Sequence, residues 1–274
     1  MTSNSNSNSH NSESEQLNRI SYTTEGYICL IGLNRADKRN AFDSHMITQL
    51  SQALTRYEND DTLRCAVIFA HGEHFTAGLD LMELQDKLDK GVFAFDSTQI
   101  DPWGISGKLR TKPMVVAVQG ICFTAGIELM LNADVVVASE DCNFAQMEVQ
   151  RGIMPFGGAT VRFVQAAGWQ KAMPYLLTGK PFDASTADKL GLVSEVVSKG
   201  KQYDRAYELA TEISKAAPLG VKGVLASAQD AVRNGTAAAL ANIHSFLPPL
   251  FASEDAKEGV MSMVERREAQ FKGR

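Results

Sequence analysis

Short runs dominated by β-branched, aromatic and aliphatic residues alternate along this chain with stretches in which apolar residues recur every three or four positions. The first kind, at 19–24, 27–33, 65–70, 114–119, 134–138 and 192–197, reads as strands. The second kind reads as helices. Over 44–57, Met46, Ile47, Leu50, Leu54 and Tyr57 fall on one helical face. Asp80 supplies an N-cap for 81–88, and Glu83, three residues on, completes a capping box. A short helix at 126–131 is apolar nearly all round, and others follow at 160–167 and 170–178. Beyond residue 197 the pattern is helical throughout, at 203–216, 220–234, 236–246 and 254–271, with Pro248-Pro249 parting the last two. Strands alternating with helices, then a helical tail, predict an α/β core at 18–198 and a helical C-terminal region at 199–274. The segment 91–112 has no clear period and reads as a loop and helix placed to cover a substrate.

Composition narrows the class. With 44% hydrophobic and 22% charged positions over 274 residues, the chain has the make-up of a soluble globular protein, and its length suits one large domain or two small ones. Residues 1–17 are Ser, Asn and Glu with almost nothing apolar, which predicts a disordered tail. That stretch lacks the apolar core of a secretion signal, and its arginine content does not suit a transit peptide, so a cytoplasmic protein is expected. No apolar run reaches membrane-spanning length. A net charge of −5 argues against nucleic acid as a partner, and an anionic ligand has to be met by local basic clusters. The four cysteines, Cys29, Cys65, Cys122 and Cys142, are widely separated and lie in or beside apolar runs. They predict buried free thiols and no metal site.

The candidate chemistry starts from an echo. Phe75-Thr76-Ala77-Gly78 and Phe123-Thr124-Ala125-Gly126 carry the same four residues, each after a strand-like run and before a helical pattern. Such turns leave backbone N–H groups unpaired at a helix start. Two of them facing one cleft would make a pair of fixed donors suited to a developing oxyanion. Dinucleotide and mononucleotide phosphate loops and the nucleophile elbow are absent, and Gly157-Gly158 alone reads as a tight turn. The five histidines form no ligand spacing, and His71 and His74 read as surface-loop residues. Glu128 lies in the first turn of an apolar helix, where it is either eased by the helix dipole or used. Glu148, in an extended stretch, reads on its own as a surface carboxylate paired with Arg151.

Taken together, these pieces resemble one family. The runs Phe75-Thr76-Ala77-Gly78-Leu79-Asp80-Leu81, Val118-Gln119-Gly120, Ala125-Gly126-Ile127-Glu128-Leu129, Ala133-Asp134, Phe144-Ala145-Gln146-Met147-Glu148 and Gly152-Ile153-Met154-Pro155 occur in the order of the crotonase (enoyl-CoA hydratase/isomerase) signature. Asn34-Arg35 with Asn40-Ala41, and Glu258-Gly259 with Phe271-Lys272, are similar to its two ends. The resemblance implies a crotonase-like (ClpP/crotonase) spiral of ββα units with an α-helical C-terminal trimerisation region. It implies an acyl-CoA thioester as substrate with no further cofactor, and a homotrimer or dimer of trimers. By the same resemblance the backbone N–H groups of Leu79 and Ala125 form an oxyanion hole. Glu128 orients or activates water, and Glu148 exchanges a proton with the substrate carbon. Acids at both positions imply a hydratase adding water to trans-2-enoyl-CoA. A Δ3,Δ2-enoyl-CoA isomerase or another enolate-forming enzyme, and a non-catalytic acyl-CoA binder, are the alternatives. Lys38 and Arg39 in the N-terminal loop and Arg266 near the C-terminus are implied to meet the CoA phosphates, the alternative for all three being a solvated charged face. The backbone at Ala77 is implied to accept the adenine amino group. Phe156 stands where a small residue is usual near the acyl pocket. Thr124-Ala125 replaces two glycines, which matters if the turn requires a positive φ.

Overall fold

Strands buried on both faces carry little polar alternation, and three successive ones here are almost wholly buried. The computed structural model describes residues 18–88, 95 and 97–274. The expected tail at 1–17, and residues 91–94 and 96 of the expected covering segment, lie outside the described residues. The chain begins with β1 (Ile20–Glu25), β2 (Ile28–Leu33), α1 (Ser44–Asn59), β3 (Cys65–Ala70), α2 (Leu81–Leu88), β4 (Met114–Val118), β5 (Ile121–Phe123), α3 (Ala125–Leu131), β6 (Val135–Ser139) and β7 (Asn143–Ala145). It continues with α4 (Ala159–Ala167), α5 (Trp169–Leu176), β8 (Phe182–Asp183), α6 (Ala184–Lys189), β9 (Glu195–Val197) and α7 (Gln202–Lys215). The C-terminal helices are α8 (Pro218–Asn234), α9 (Thr236–Asn242), α10 (Leu247–Phe251) and α11 (Glu254–Glu265).

A six-stranded sheet runs in the order β1-β2-β3-β4-β6-β9, antiparallel only between β1 and β2. A second, three-stranded sheet runs β5-β7-β8. The side-chain period of two splits β2 cleanly. Cys29, Ile31 and Leu33 join the large core with Met46, Leu50 and Leu54 of α1, whereas Ile28 and Leu30 join a second layer with Ala206 and Ala210 of α7. The two small alanines let α7 lie against β3, β4 and β6.

The predicted strands of the large sheet all form, shifted by a residue or two at most of their ends; the last is cut to Glu195–Val197. The small sheet was not foreseen, because strands of two or three residues carry no period. The capping box differs too. Glu83 accepts hydrogen bonds from the backbone N–H and hydroxyl of Ser44, so it ties α2 to α1 instead of reaching back to its own cap. Pro248 and Pro249 sit inside the short helix α10 instead of between helices, since a first helical turn needs no N–H. The last helix stops at Glu265, closed by Arg266 in the left-handed conformation, and the chain to Arg274 is not helical. The four cysteines are buried free thiols, and burial pushes Cys65 and Cys142 up to about 12.

Asn40 shows how the loop after β2 is fastened to the loop after β3. It is fully buried at φ 52, a conformation Asn tolerates better than most residues. Its Nδ2 donates to the carbonyls of His71 and His74, at 2.9 and 2.8 Å, and its Oδ1 accepts from the Arg35 N–H at 2.7 Å. Asn40→Ala leaves these three backbone groups unpaired. It is expected to cost about 3 kcal/mol, seen as a lower urea midpoint with an unchanged slope.

Candidate active site

The two echoed turns lie side by side because β5 stitches them together. Phe75 N–H donates to the Gln119 carbonyl at 2.8 Å, Thr76 N–H to Ile121 at 3.0 Å, and Phe123 N–H back to Thr76 at 3.1 Å. Packing is close enough that a methyl group on Gly126 would lie 2.3 Å from Thr76 Cγ2. In the first turn the Gly78 carbonyl accepts from Phe42 N–H at 2.8 Å. A trans peptide sets C=O and N–H on opposite sides, so this bond aims the Leu79 N–H away from Phe42. Among the described residues the Leu79 N–H meets no acceptor.

The second turn repeats the logic with different parts. The Thr124 carbonyl accepts the Glu128 N–H at 3.1 Å, which leaves the N–H of the same peptide, that of Ala125, at the N-terminal end of α3, where no helical carbonyl precedes it. It too meets no acceptor among the described residues. Thr124 has φ 49 and ψ −113, so this turn does require a positive φ, and a β-branched residue supplies it. Trp103 braces both turns. Its indole N–H donates to the Ala125 carbonyl at 2.9 Å, and its ring meets Phe42 edge-on at 5.7 Å between centroids.

Both carboxylates are buried, in contrasting surroundings. Glu128 Oε1 accepts from Gly157 N–H at 2.7 Å and from Ala159 N–H at 3.1 Å, while Oε2 has no hydrogen bond among the described residues. Gly157 has no room for a side chain, because a Cβ there would sit 2.5 Å from Glu128 Oε2. Burial raises the Glu128 pKa, opposed by the two N–H bonds and by the Arg162 guanidinium. Glu148 does not pair with Arg151. It opens a tight 3-10 turn, Glu148–Arg151, that turns it inward, and it is 6% exposed. Its Oε1 accepts from Gln146 Nε2 at 2.9 Å, and its Oε2 is buried with no partner. Burial first, and the nearby Glu128 charge as well, lift Glu148 to about 7. A buried carboxylate oxygen without a partner, on a group whose pKa is raised beside a second buried carboxylate, makes this pair the candidate site.

The remaining sequence candidates are spread more widely. Lys38 and Arg39 are exposed on the short 3-10 turn before Asn40, and no ion pair engages either among the described residues. Ala77 N–H donates to the Arg39 carbonyl at 2.9 Å, and its own carbonyl takes no donor among the described residues. Phe156, 39% exposed, immediately precedes the glycine that binds Glu128. Arg266 is not brought to this group; it is the exposed cap of α11, which packs against α10. The histidines are less superficial than expected, His71 bonding Ser21 at 2.8 Å and His74 accepting from Ile121 N–H at 3.3 Å. In the described part of the expected covering segment, Asp101 fastens the loop by accepting from the N–H groups of Trp103, Ile105 and Ser106. Gly157, Ala159, Gln146 and Trp103 escaped the sequence reading. The Gly157-Gly158 pair was a visible signal, and the turn it makes cradles a carboxylate. Among the described residues no three His, Cys, Asp or Glu side chains group to hold a metal ion, and no helix is long and apolar enough to cross a membrane.

Known proteins share this fold over nearly its full length. A probable enoyl-CoA hydratase/isomerase from Mycobacterium abscessus superposes with a TM-score of 0.90 at 45% identity, covering 93% of this chain and 99% of its own. The enoyl-CoA hydratase EchA19 of Mycobacterium tuberculosis is 32% identical over 252 residues, 91% of this chain and 94% of that protein. The mevalonyl-coenzyme A hydratase sidH of Aspergillus fumigatus is 33% identical over 258 residues, 92% of this chain and 94% of that protein. The sequence model of the enoyl-CoA hydratase/isomerase family matches residues 23–274. Two donor turns, two buried carboxylates and a match over nearly the full length lead to one conclusion: the chain belongs to the enoyl-CoA hydratase/isomerase (crotonase) family.

Proposed function

We propose that this protein is an enoyl-CoA hydratase, a hydro-lyase that adds water syn across the double bond of a trans-2-enoyl-CoA thioester. The observation that carries this reading is the pair of carboxylate oxygens left without hydrogen-bond partners, Glu128 Oε2 and Glu148 Oε2, near two N–H groups left without acceptors. The N–H groups of Leu79 and Ala125 hold the thioester oxygen as negative charge gathers on it, each contributing about 2.7–4 kcal/mol to barrier lowering. Water's oxygen bonds to the β-carbon while one of its protons passes to the Glu128 carboxylate. The Glu148 carboxyl gives its proton to the α-carbon, and the cycle resets when a proton returns from Glu128 to Glu148. The relatives named as hydratases support this choice over an isomerase.

Lys38 and Arg39 meet the CoA phosphates, and the free Ala77 carbonyl accepts the adenine amino group. Phe156 bounds the acyl pocket. Arg266 reaches the CoA of a neighbouring subunit in a homotrimer or dimer of trimers. The 18–198 core carries the chemistry and the 199–274 region the subunit contacts, a division supported by the exposed Phe251, Val260 and Met263.

Hydration of crotonyl-CoA, followed by loss of the conjugated-thioester absorbance, tests the reading. Glu128→Gln and Glu148→Gln are each expected to lower kcat by roughly 10³-fold while CoA-thioester binding stays within a few fold. Full hydratase activity in either variant, or turnover of Δ3-enoyl-CoA that survives Glu128→Gln, overturns it. The pH profile supplies a second test. Hydration uses the protonated form of Glu148, which loses its proton near 7, so kcat/KM for hydration is expected to fall as pH rises through about 7. Dehydration of 3-hydroxyacyl-CoA starts from the same singly protonated pair with the proton on Glu128, and because hydration takes up no net proton its kcat/KM is expected to fall as pH rises through the same point.

A further inference from the structure

The echoed threonines take opposite conformations. Thr76 is buried in a β-bridge, where its hydroxyl donates to the Asn40 carbonyl at 2.6 Å and accepts the Gly78 N–H at 3.0 Å. Thr124 sits at φ 49 and ψ −113, a region that glycine enters freely and a β-branched residue enters under strain. The strain is held in place by its backbone, with the N–H donating to the Ala145 carbonyl at 2.9 Å and the carbonyl accepting from Glu128. Its side chain is different. Thr124 is half-buried, and its hydroxyl has no hydrogen-bond partner among the described residues. That hydroxyl lies against Gly78, where an added methyl group would fall 1.9 Å from Thr124 Oγ1. The hydroxyl thus belongs to the residue before Ala125 and lies against the residue before Leu79, so it touches both of the turns that carry the free N–H groups.

We infer that the Thr124 hydroxyl is a third hydrogen-bond donor to the thioester oxygen, added by this chain to the two backbone donors. The inference rests on the hydratase reading above. A hydroxyl rotates freely, so it follows the oxygen as the carbonyl becomes enolate-like, which fixed backbone donors cannot do. Glycine would relieve the backbone but carry no hydroxyl, so the strain at Thr124 coincides with a group that only a hydroxyl side chain provides.

Four proteins separate this role from packing: the wild type, Thr124→Val, Thr124→Ser and Thr124→Gly. Valine keeps the shape and strain and deletes only the hydroxyl; serine keeps the hydroxyl. Thr124→Val is expected to lose roughly tenfold to hundredfold in kcat, with KM within about threefold and Tm unchanged. Thr124→Ser is expected to stay within about threefold of wild type, and Thr124→Gly to lose kcat like valine while melting a few degrees higher. The absorbance of a bound chromophoric conjugated acyl-CoA, which moves to longer wavelength as its carbonyl is polarised, is expected to move less in the valine and glycine variants than in wild type and serine. Wild-type kcat and an unaltered spectrum in Thr124→Val, or a serine variant as impaired as valine, overturns the third donor and leaves the hydratase standing. A wild type that hydrates no enoyl-CoA overturns the hydratase itself.

Discussion

A backbone N–H can be left without an acceptor inside a folded protein only if the peptide that carries it is held rigidly from its other side. An unheld peptide would rotate to find a partner and remove the vacancy, because a buried unpaired amide costs about 1–3 kcal/mol. The clamps here come from distant parts of the chain. Phe42 holds the Gly78 carbonyl, the first helical bond of α3 holds the Thr124 carbonyl, and the Phe42–Trp103 contact braces one clamp against the other. Behind Phe42, Arg35 lies against both Asp43 and Asp80, so the loop before α1 and the turn before α2 move as one piece. The large sheet fixes where these loops emerge, and β5 fixes their spacing.

The same rigidity separates the two carboxylates chemically. Both are desolvated, which raises both pKa values. Glu128 is compensated by two backbone N–H bonds and by Arg162, whereas Glu148 has one amide donor and faces the charge of Glu128. Ionisation thus comes first to Glu128, and Glu148 holds its proton to near neutrality. In the proposed reaction this difference suits Glu128 to act as the base and Glu148 as the acid. Arg162 contributes from the rear: its guanidinium donates to the carbonyls of Trp103 and Gly104, joining the brace of the donor turns to the helix that cradles Glu128.

How far this was legible depends on the range of the interaction that determines each feature. The large sheet and long helices follow from periodicity within ten or twenty residues, and they were readable. The three short strands, the end of the last helix at Arg266 and the inward turn of Glu148 depend on partners elsewhere in the chain. Glu148 is instructive, because Arg151 lies three residues away in sequence and invited a surface pair. A 3-10 turn and a glutamine two residues earlier send the carboxylate inward instead. Glu83 misled in the same way, its local cap position yielding to Ser44, 39 residues away. The donor atoms themselves are backbone, so no residue type announces them. Family resemblance pointed to Leu79 and Ala125, and only the folded chain shows that their N–H groups meet no acceptor among the described residues.

Phe-Thr-Ala-Gly, read twice, makes the point most sharply. In the first copy Phe75 and Thr76 continue a strand-like pairing with β5, Thr76 turns its hydroxyl to the backbone, and the free N–H falls one residue after the glycine. In the second copy the strand ends at Phe123, Thr124 swings to positive φ, and the free N–H falls one residue before the glycine. Identical side chains met different neighbours: the Asn40 loop captures one threonine hydroxyl, and nothing among the described residues captures the other. Local propensity favours neither a positive φ at a β-branched residue nor an idle hydroxyl. Both persist at Thr124 because the Ala145 and Glu128 bonds overdetermine its backbone, which places the strain at the residue before one of the two unpaired N–H groups.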